Sequence, residues 1–287
     1  MKSSKPIPGR YLGYRAEDSA EPFSHFFNPI MAPPAPHVCA ALDRGGVPAP
    51  LLPGFEDAAQ NLFGGDSVLE DGFVLMPDGG MRVSVRTAMP GVTPAMVDWW
   101  FGWHGDTPAK YKLWHPQAHV HVGWRETPPA GASGRALYVG QTSIVDEYIG
   151  SNLIRGAIRF VSPRLLGFTD RSLEDDRQAT IVCARIGLGD APIDVGYLAH
   201  HVRAVSGGSE MRSRFWMGGR HISGRNLMGG LGAALAKRLL HLNEADARSL
   251  LVHCAEEMPH LASFLPALHA EFSGGDQAVH SKSDVKG

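Results

Sequence analysis

Three histidines crowd the stretch KYKLWHPQAHVHVGW, residues 110–124: His115, His119 and His121, set among Tyr111, Trp114 and Trp124. Side chains alternate along a β-strand, so His119 and His121 are expected on one face and Val120 and Val122 on the other. Two imidazoles aimed into a cavity are a source of metal ligands. The plainer reading is histidines hydrogen-bonded in a polar pocket. His115 precedes Pro116 in the connection into the strand, which makes it the poorer candidate. Far downstream, LLVHCAEEM sets His253 and Glu257 four residues apart. On a helix that spacing shares one face, in a stripe with Leu250 and Cys254. An HxxxE pair can clamp a divalent metal through one imidazole nitrogen and one carboxylate oxygen. It can equally be a surface pair worth a few tenths of a kcal/mol, and short motifs recur by chance. Within QTSIVDEYIG, Asp146 and Glu147 offer a further carboxylate near a strand end, and spacing does not choose between ligation and a solvated turn.

The elements that would position these groups follow from turn signals and periodicity. SVLEDGFVLMPDGGMRVSVRTAM predicts a hairpin split by its PDGG turn. Thr93 caps a helix that has Pro94 at its first position and ends near Gly105. Five β-like segments follow, AHVHVGW, RALYVGQTSIV, ATIVCARIGL, IDVGYLAHHVRAV and SEMRSRFWMGG, as in an antiparallel sheet with one face covered. GRNLMGGLGAALAKRLL reads as a helix after its glycines. Asn243 caps the clearest helix, with acids in the first turn and Pro259 as its stop, and a shorter helical piece follows. Pro and Gly break up residues 1 to about 60, which read as an irregular arm. The expected division is an N-terminal arm or small subdomain over 1–90, a main domain over 91–273 and a disordered tail over 274–287. A long helix packed across a bent sheet leaves a cavity suited to a small organic ligand.

The 287 residues carry a net charge of −2 at a pI near 6.7, so no global field recruits nucleic acid or an acidic membrane surface. Cys39, Cys183 and Cys254 are odd in number and widely spaced, which fits a reducing compartment. No stretch approaches the roughly 18 apolar residues of a membrane span, and MKSSKPIPGRYLGYR has no signal-peptide core. The expectation is a soluble cytoplasmic protein. GGRHISGRNLMGGLG lacks the GxxxxGK[ST] pattern of a phosphate loop. Arg212, Arg214 and Arg220 could contact an anionic ligand, but the preferred reading is strand residues pairing on the outer face.

Taken in combination, DWWFGWH, KYKLWHPQAH, DEYIG, GSEMRSRFWMGG and HCAEEMPHLASFLPALHAEF resemble the diacetylphloroglucinol hydrolase family, which includes phloretin hydrolases. The resemblance runs from about Asp98 to Phe272. It implies an α+β helix-grip fold like that of the birch pollen allergen, a zinc ion in the cavity, and homodimerisation. It also implies hydrolysis of the carbon–carbon bond joining an acyl group to a phloroglucinol ring. Carried across by position, the family's ligands fall on His119, Glu147, His253 and Glu257. Tyr111 falls on a substrate contact. A further histidine falls on His200 or His201, of which alternation admits only one to the cavity, with His200 preferred. Tyr111 and that histidine are the implied groups for stabilising ring oxygens and returning a proton to the ring. The chain departs from the family pattern at His115, Gln117, Ala118 and Phe215, positions that line the pocket and so bear on substrate identity. Two other functions stay open on the sequence: a carrier of hydrophobic aromatic ligands without catalysis, since fold does not dictate function, and a zinc hydrolase of esters or other 1,3-diketones.

Overall fold

The computed structural model describes residues 10–65, 67–129, 131–169 and 178–274. Nine antiparallel strands make one curved sheet: β1 (Gly72–Leu75), β2 (Met81–Pro90), β3 (His119–Trp124), β4 (Thr142–Ile149), β5 (Asn152–Val161), β6 (Ala179–Leu188), β7 (Ile193–Val205), β8 (Gly208–Met217) and the two-residue β9 (Ser223–Gly224). Their order is β1-β2-β8-β7-β6-β5-β4-β3, with β9 on the start of β7. The hairpin expected around PDGG is present: Met76 N–H donates to the Gly80 carbonyl, and Gly79 takes the positive φ of +82° that such a turn requires. β2 pairs along its whole length with β8, so the sheet runs on across residue 90.

Helices α3 (Pro94–Trp103) and α4 (Pro108–Trp114) precede β3, and α5 (Leu227–Leu239) and α6 (Glu244–Phe272) follow the sheet. Thr93 caps α3 by accepting from Met96 N–H, and Asn243 caps α6 by accepting from Ala245 and Asp246 N–H. Both caps were legible. The stop at Pro259 was not a stop. α6 runs unbroken through Pro259 and Pro266 for 29 residues, about 43 Å at 1.5 Å per residue. Each proline forfeits a ladder hydrogen bond. Burial of Leu251, Cys254, Met258, Leu261, Leu265 and Leu268 against the sheet outweighs that loss. This is the helix-grip arrangement, a long C-terminal helix held across a bent sheet.

The other face is covered too. Among α1 (Pro36–Arg44), α2 (Ala58–Phe63) and the segments around them, Ala58 and Leu62 pack on Ile181, Ala199 and Trp216. Arg212 and Arg214 do lie on this outer face, yet they are buried there with Glu70 between them. Arg220 instead is exposed and pairs with Glu56. β5 was not anticipated, and residues 134–137 form a short helical turn where a strand was expected. The tail expected over 274–287 lies, apart from Gly274, outside the described residues. No described helix is long and apolar enough to cross a membrane.

Candidate active site

Three elements converge on one buried point. Thr107 and Pro108 start α4, whose single pair of turns aims Tyr111 inward and ends at the 115–118 turn leading into β3. β3 begins at His119, directly opposite Glu147 in β4. α6 crosses over them and delivers His253 and Glu257 one turn apart. His119 Nε2 lies 3.7 Å from Glu147 Oε2 and 3.5 Å from Glu257 Oε2. His253 Nε2 lies 3.9 Å and 3.5 Å from the same two oxygens. Ligands of a tetrahedral ion with bonds of about 2.0–2.2 Å sit roughly 3.3–3.6 Å apart. The ligand atoms of His119, Glu147 and His253 all fall within 4.8 Å of one another. His119 donates from Nδ1 to the Tyr111 carbonyl at 2.9 Å, which frees Nε2 to face the group. That Nε2 is buried without any hydrogen-bond partner, a costly state that a metal would relieve. The residues present therefore fit a divalent ion.

The electrostatics agree with that fit. Burial pushes Glu257 well above the usual carboxylate range, and the Glu147 carboxylate adds to the rise. Burial also raises Glu147, against the pull of the Tyr111 hydroxyl. Burial first, then His115, holds His253 down at about 3, and burial likewise holds His119 well below its ordinary value. Two neutral imidazoles beside two carboxylates that resist ionisation form a set a cation would reorganise. Tyr111 completes it. Its hydroxyl donates to Glu147 Oε2 at 2.5 Å, and its ring stacks on His119 at 3.7 Å. Burial, then the Glu147 charge, raises the phenol's pKa far above its ordinary value, so it stays protonated at neutral pH.

Tyr111, Glu147, His253 and Glu257 border a cavity of about 280 Å³ between α6 and the sheet. His200 lines it, hydrogen-bonded to Ser213 Oγ at 2.8 Å and held neutral by burial, with a pKa of about 4. His201 faces the opposite side of the sheet, against Phe63 and the buried arginines, so of the two alternatives only His200 reaches the cavity. Asp146 likewise turns away from Glu147 and pairs with Arg10. His121 does not share a face with His119. A β-bulge between them shifts the register, and His121 opposes Asp146 instead. His115 lies behind the group, its ring stacked on His253 at 5.0 Å and its Nε2 3.4 Å from Glu256. Phe215 borders the cavity, whereas Gln117 bonds the Pro29 carbonyl outside it. Sequence reasoning missed His104, which lines the cavity and donates from Nδ1 to the Trp100 carbonyl at 2.8 Å. Its signal was the i+4 spacing from Trp100 at a helix end.

The family model described as "DAPG hydrolase PhiG domain" matches residues 51–270. A 2,4-diacetylphloroglucinol hydrolase of Pseudomonas sp is 31% identical over 280 residues, covering 94% of this chain and 94% of its own. A phloretin hydrolase of Eubacterium ramulus is 27% identical over 272 residues, covering 92% of this chain and 95% of its own.

Proposed function

The chain belongs to the DAPG hydrolase family, and from that premise we propose that it hydrolyses the carbon–carbon bond between an acyl group and a phloroglucinol-type ring, with zinc held by His119, Glu147, His253 and Glu257. Supporting this reading is one observation above all. Two histidines and two glutamates, from elements distant in sequence, meet beside a protonated tyrosine in a largely apolar cavity.

In the reaction, water adds to the acyl carbonyl, the bond to the ring breaks, and the ring carbon takes a proton, giving a carboxylic acid and the deacylated ring. A zinc ion at such a set lowers the pKa of water and polarises a carbonyl. The chain's own groups supply the rest. The leaving ring carbanion is delocalised onto its oxygens, and the Tyr111 hydroxyl is a proton-bearing donor for them. His200, neutral and tethered to Ser213, presents an imidazole toward the same space. Together they stabilise the ring oxygens and return the proton to carbon, a role worth about 10²–10⁴-fold. Glu147 orients the Tyr111 hydroxyl through the 2.5 Å bond. Phe101 and Trp114 wall the ring and exclude water.

Metal analysis of the purified protein with His253→Ala as control tests this reading. The parent is expected to hold about one equivalent of zinc and to cleave acetylated phloroglucinols. The variant is expected to lose both. A parent that purifies without metal, and takes none up, supports a carrier instead.

A further inference from the structure

The cavity has two chemically different halves, divided by the metal-ligand group. Along β4 its lining residues run Ser143, Val145, Glu147, Ile149, with the carboxylate between the interior and the β4–β5 turn. On the interior side aromatic and polar groups, Phe101, His104, Trp114, Phe160 and His200, stand beside the aliphatic Ile158 and Ile186, with Phe101 packed 5.8 Å from Phe160 and 6.1 Å from His200. On the other side the walls are aliphatic: Ile149, Ile154, Leu188, Leu240, Leu242 and Leu250. These come from strand ends, the α5–α6 connection and the first turns of α6. At the rim, Ile154 is 37% and Leu188 41% exposed, so the aliphatic half opens to solvent through an apolar lip. Hydrogen-bonding groups return there only at Asn152, Asp246 and Ser249.

We infer that the substrate carries an aliphatic acyl chain of about six to eight carbons, its hydroxylated ring in the interior half and its chain in the half that opens at Leu188. This inference rests on the reaction proposed above. The polar, aromatic half matches a ring bearing hydroxyls, which need donors and acceptors when buried. Short of Asn152, Asp246 and Ser249 at its mouth, the aliphatic half offers an acyl tail apolar contact. Its length follows from α6. From His253 to Asp246 at the rim is a rise of roughly 10 Å at 1.5 Å per residue. An extended chain covers about 1.2 Å per bond, judging from the reach of a polypeptide, so about eight carbons span the distance. An acetyl group leaves that half unfilled.

The experiment is a chain-length series on the zinc-loaded enzyme, using acetyl, butanoyl, hexanoyl and octanoyl phloroglucinols, with phloretin alongside. Each buried methylene is expected to raise kcat/KM roughly fourfold up to six to eight carbons. A flat or falling series overturns the inference while leaving the reaction standing, as does phloretin outrunning the hexanoyl ketone. Leu188→Lys is expected to lower the octanoyl-to-acetyl ratio of kcat/KM, and an unchanged ratio counts against the assigned path. If no ketone is cleaved, the reaction reading falls. Calorimetry with the same four ketones then still decides the tail: affinity rising with length supports it, and length-independent affinity overturns it.

Discussion

Replacing Tyr111 by Phe removes one oxygen from the candidate site and little else. The ring stacked on His119 at 3.7 Å stays, and so does its packing beneath Trp114. What goes is the hydroxyl that donates to Glu147 at 2.5 Å and that the proposed reaction uses as its acid. A hydrogen bond to a charged group contributes roughly 1.5–3 kcal/mol, so a stability loss of that order or less is expected, well short of unfolding. Zinc content is expected to stay at the parent level, because Tyr111 is not among the ligands. The rate should not. Loss of a positioned acid lowers kcat by about 10²–10⁴-fold, or roughly 3–5 kcal/mol on the barrier, with KM changing far less. A second consequence concerns pH. The Tyr111 bond pulls the Glu147 pKa down against burial, so its removal lets protons compete better for that carboxylate. Zinc is then released at a higher pH than from the parent. The assay follows ultraviolet loss of the acyl ketone, with metal measured on the same samples. A variant with full zinc and kcat within threefold of the parent refutes the acid role of Tyr111.

Other perturbations test different parts of the molecule. Glu257→Gln keeps the shape of the helix face but removes a carboxylate 3.5 Å from both histidine nitrogens. Zinc affinity is expected to fall at least tenfold in a chelator competition, and activity with it. His104 and His200 are buried neutral with pKa values near 4. The unfolded chain binds their protons at about 6.5, so their stabilisation is complete above that value and is lost as pH falls toward 4. The shift corresponds to about 3 kcal/mol each as an upper figure, and denaturant midpoints should drop across that window. Glu70→Ala strands Arg212 and Arg214 together beneath the N-terminal segment. Breaking a buried ion pair in this way costs roughly 3–5 kcal/mol, read as a fall in the urea midpoint, while zinc content stays unchanged.

Local chemistry carried much of the fold in plain view. Thr93 and Asn243 each bond the backbone amides their positions imply, and PDGG turns where its glycines permit. The failures have a common physical cause, which is that tertiary burial overruled a local rule. Pro259 breaks isolated helices, but here the apolar residues on both sides of it are buried against one sheet. β5 alternates poorly, and its first four residues, Asn152–Arg155, are exposed, so period-two patterning had little to detect. Alternation did correctly separate His200 from His201. It failed for His119 and His121, because a bulge of one residue is invisible in a sequence and reverses every side chain beyond it. Glu147 and Asp146 could not be told apart by spacing. The register with His119 on one side, and Arg10 on the other, is what separates them.

The candidate site also depends on being dry. In water, carboxylates and imidazoles paired within 4 Å, as each His–Glu pair is here, exchange protons freely and hold no fixed charge pattern. Here α6 lies over them and the sheet under them, so each ionised carboxylate lacks solvent and each protonated imidazole is pushed toward neutrality. Those same shifts make the set a poor place for protons on nitrogen and a favourable one for a divalent ion, whose charge offsets the desolvation of both glutamates at once. Binding then releases whatever protons the glutamates hold, and affinity must rise with pH until they are fully ionised. The helix that seals the core is therefore also the element that would set the proposed metal chemistry. A substitution at Met258 or Leu261, on the helix surface that packs the core, should loosen zinc without touching a ligand. Met258→Ala, expected to cost about 2–5 kcal/mol of stability, provides the check. If zinc affinity is unchanged while stability falls by that amount, the coupling between helix packing and the ligand set does not exist.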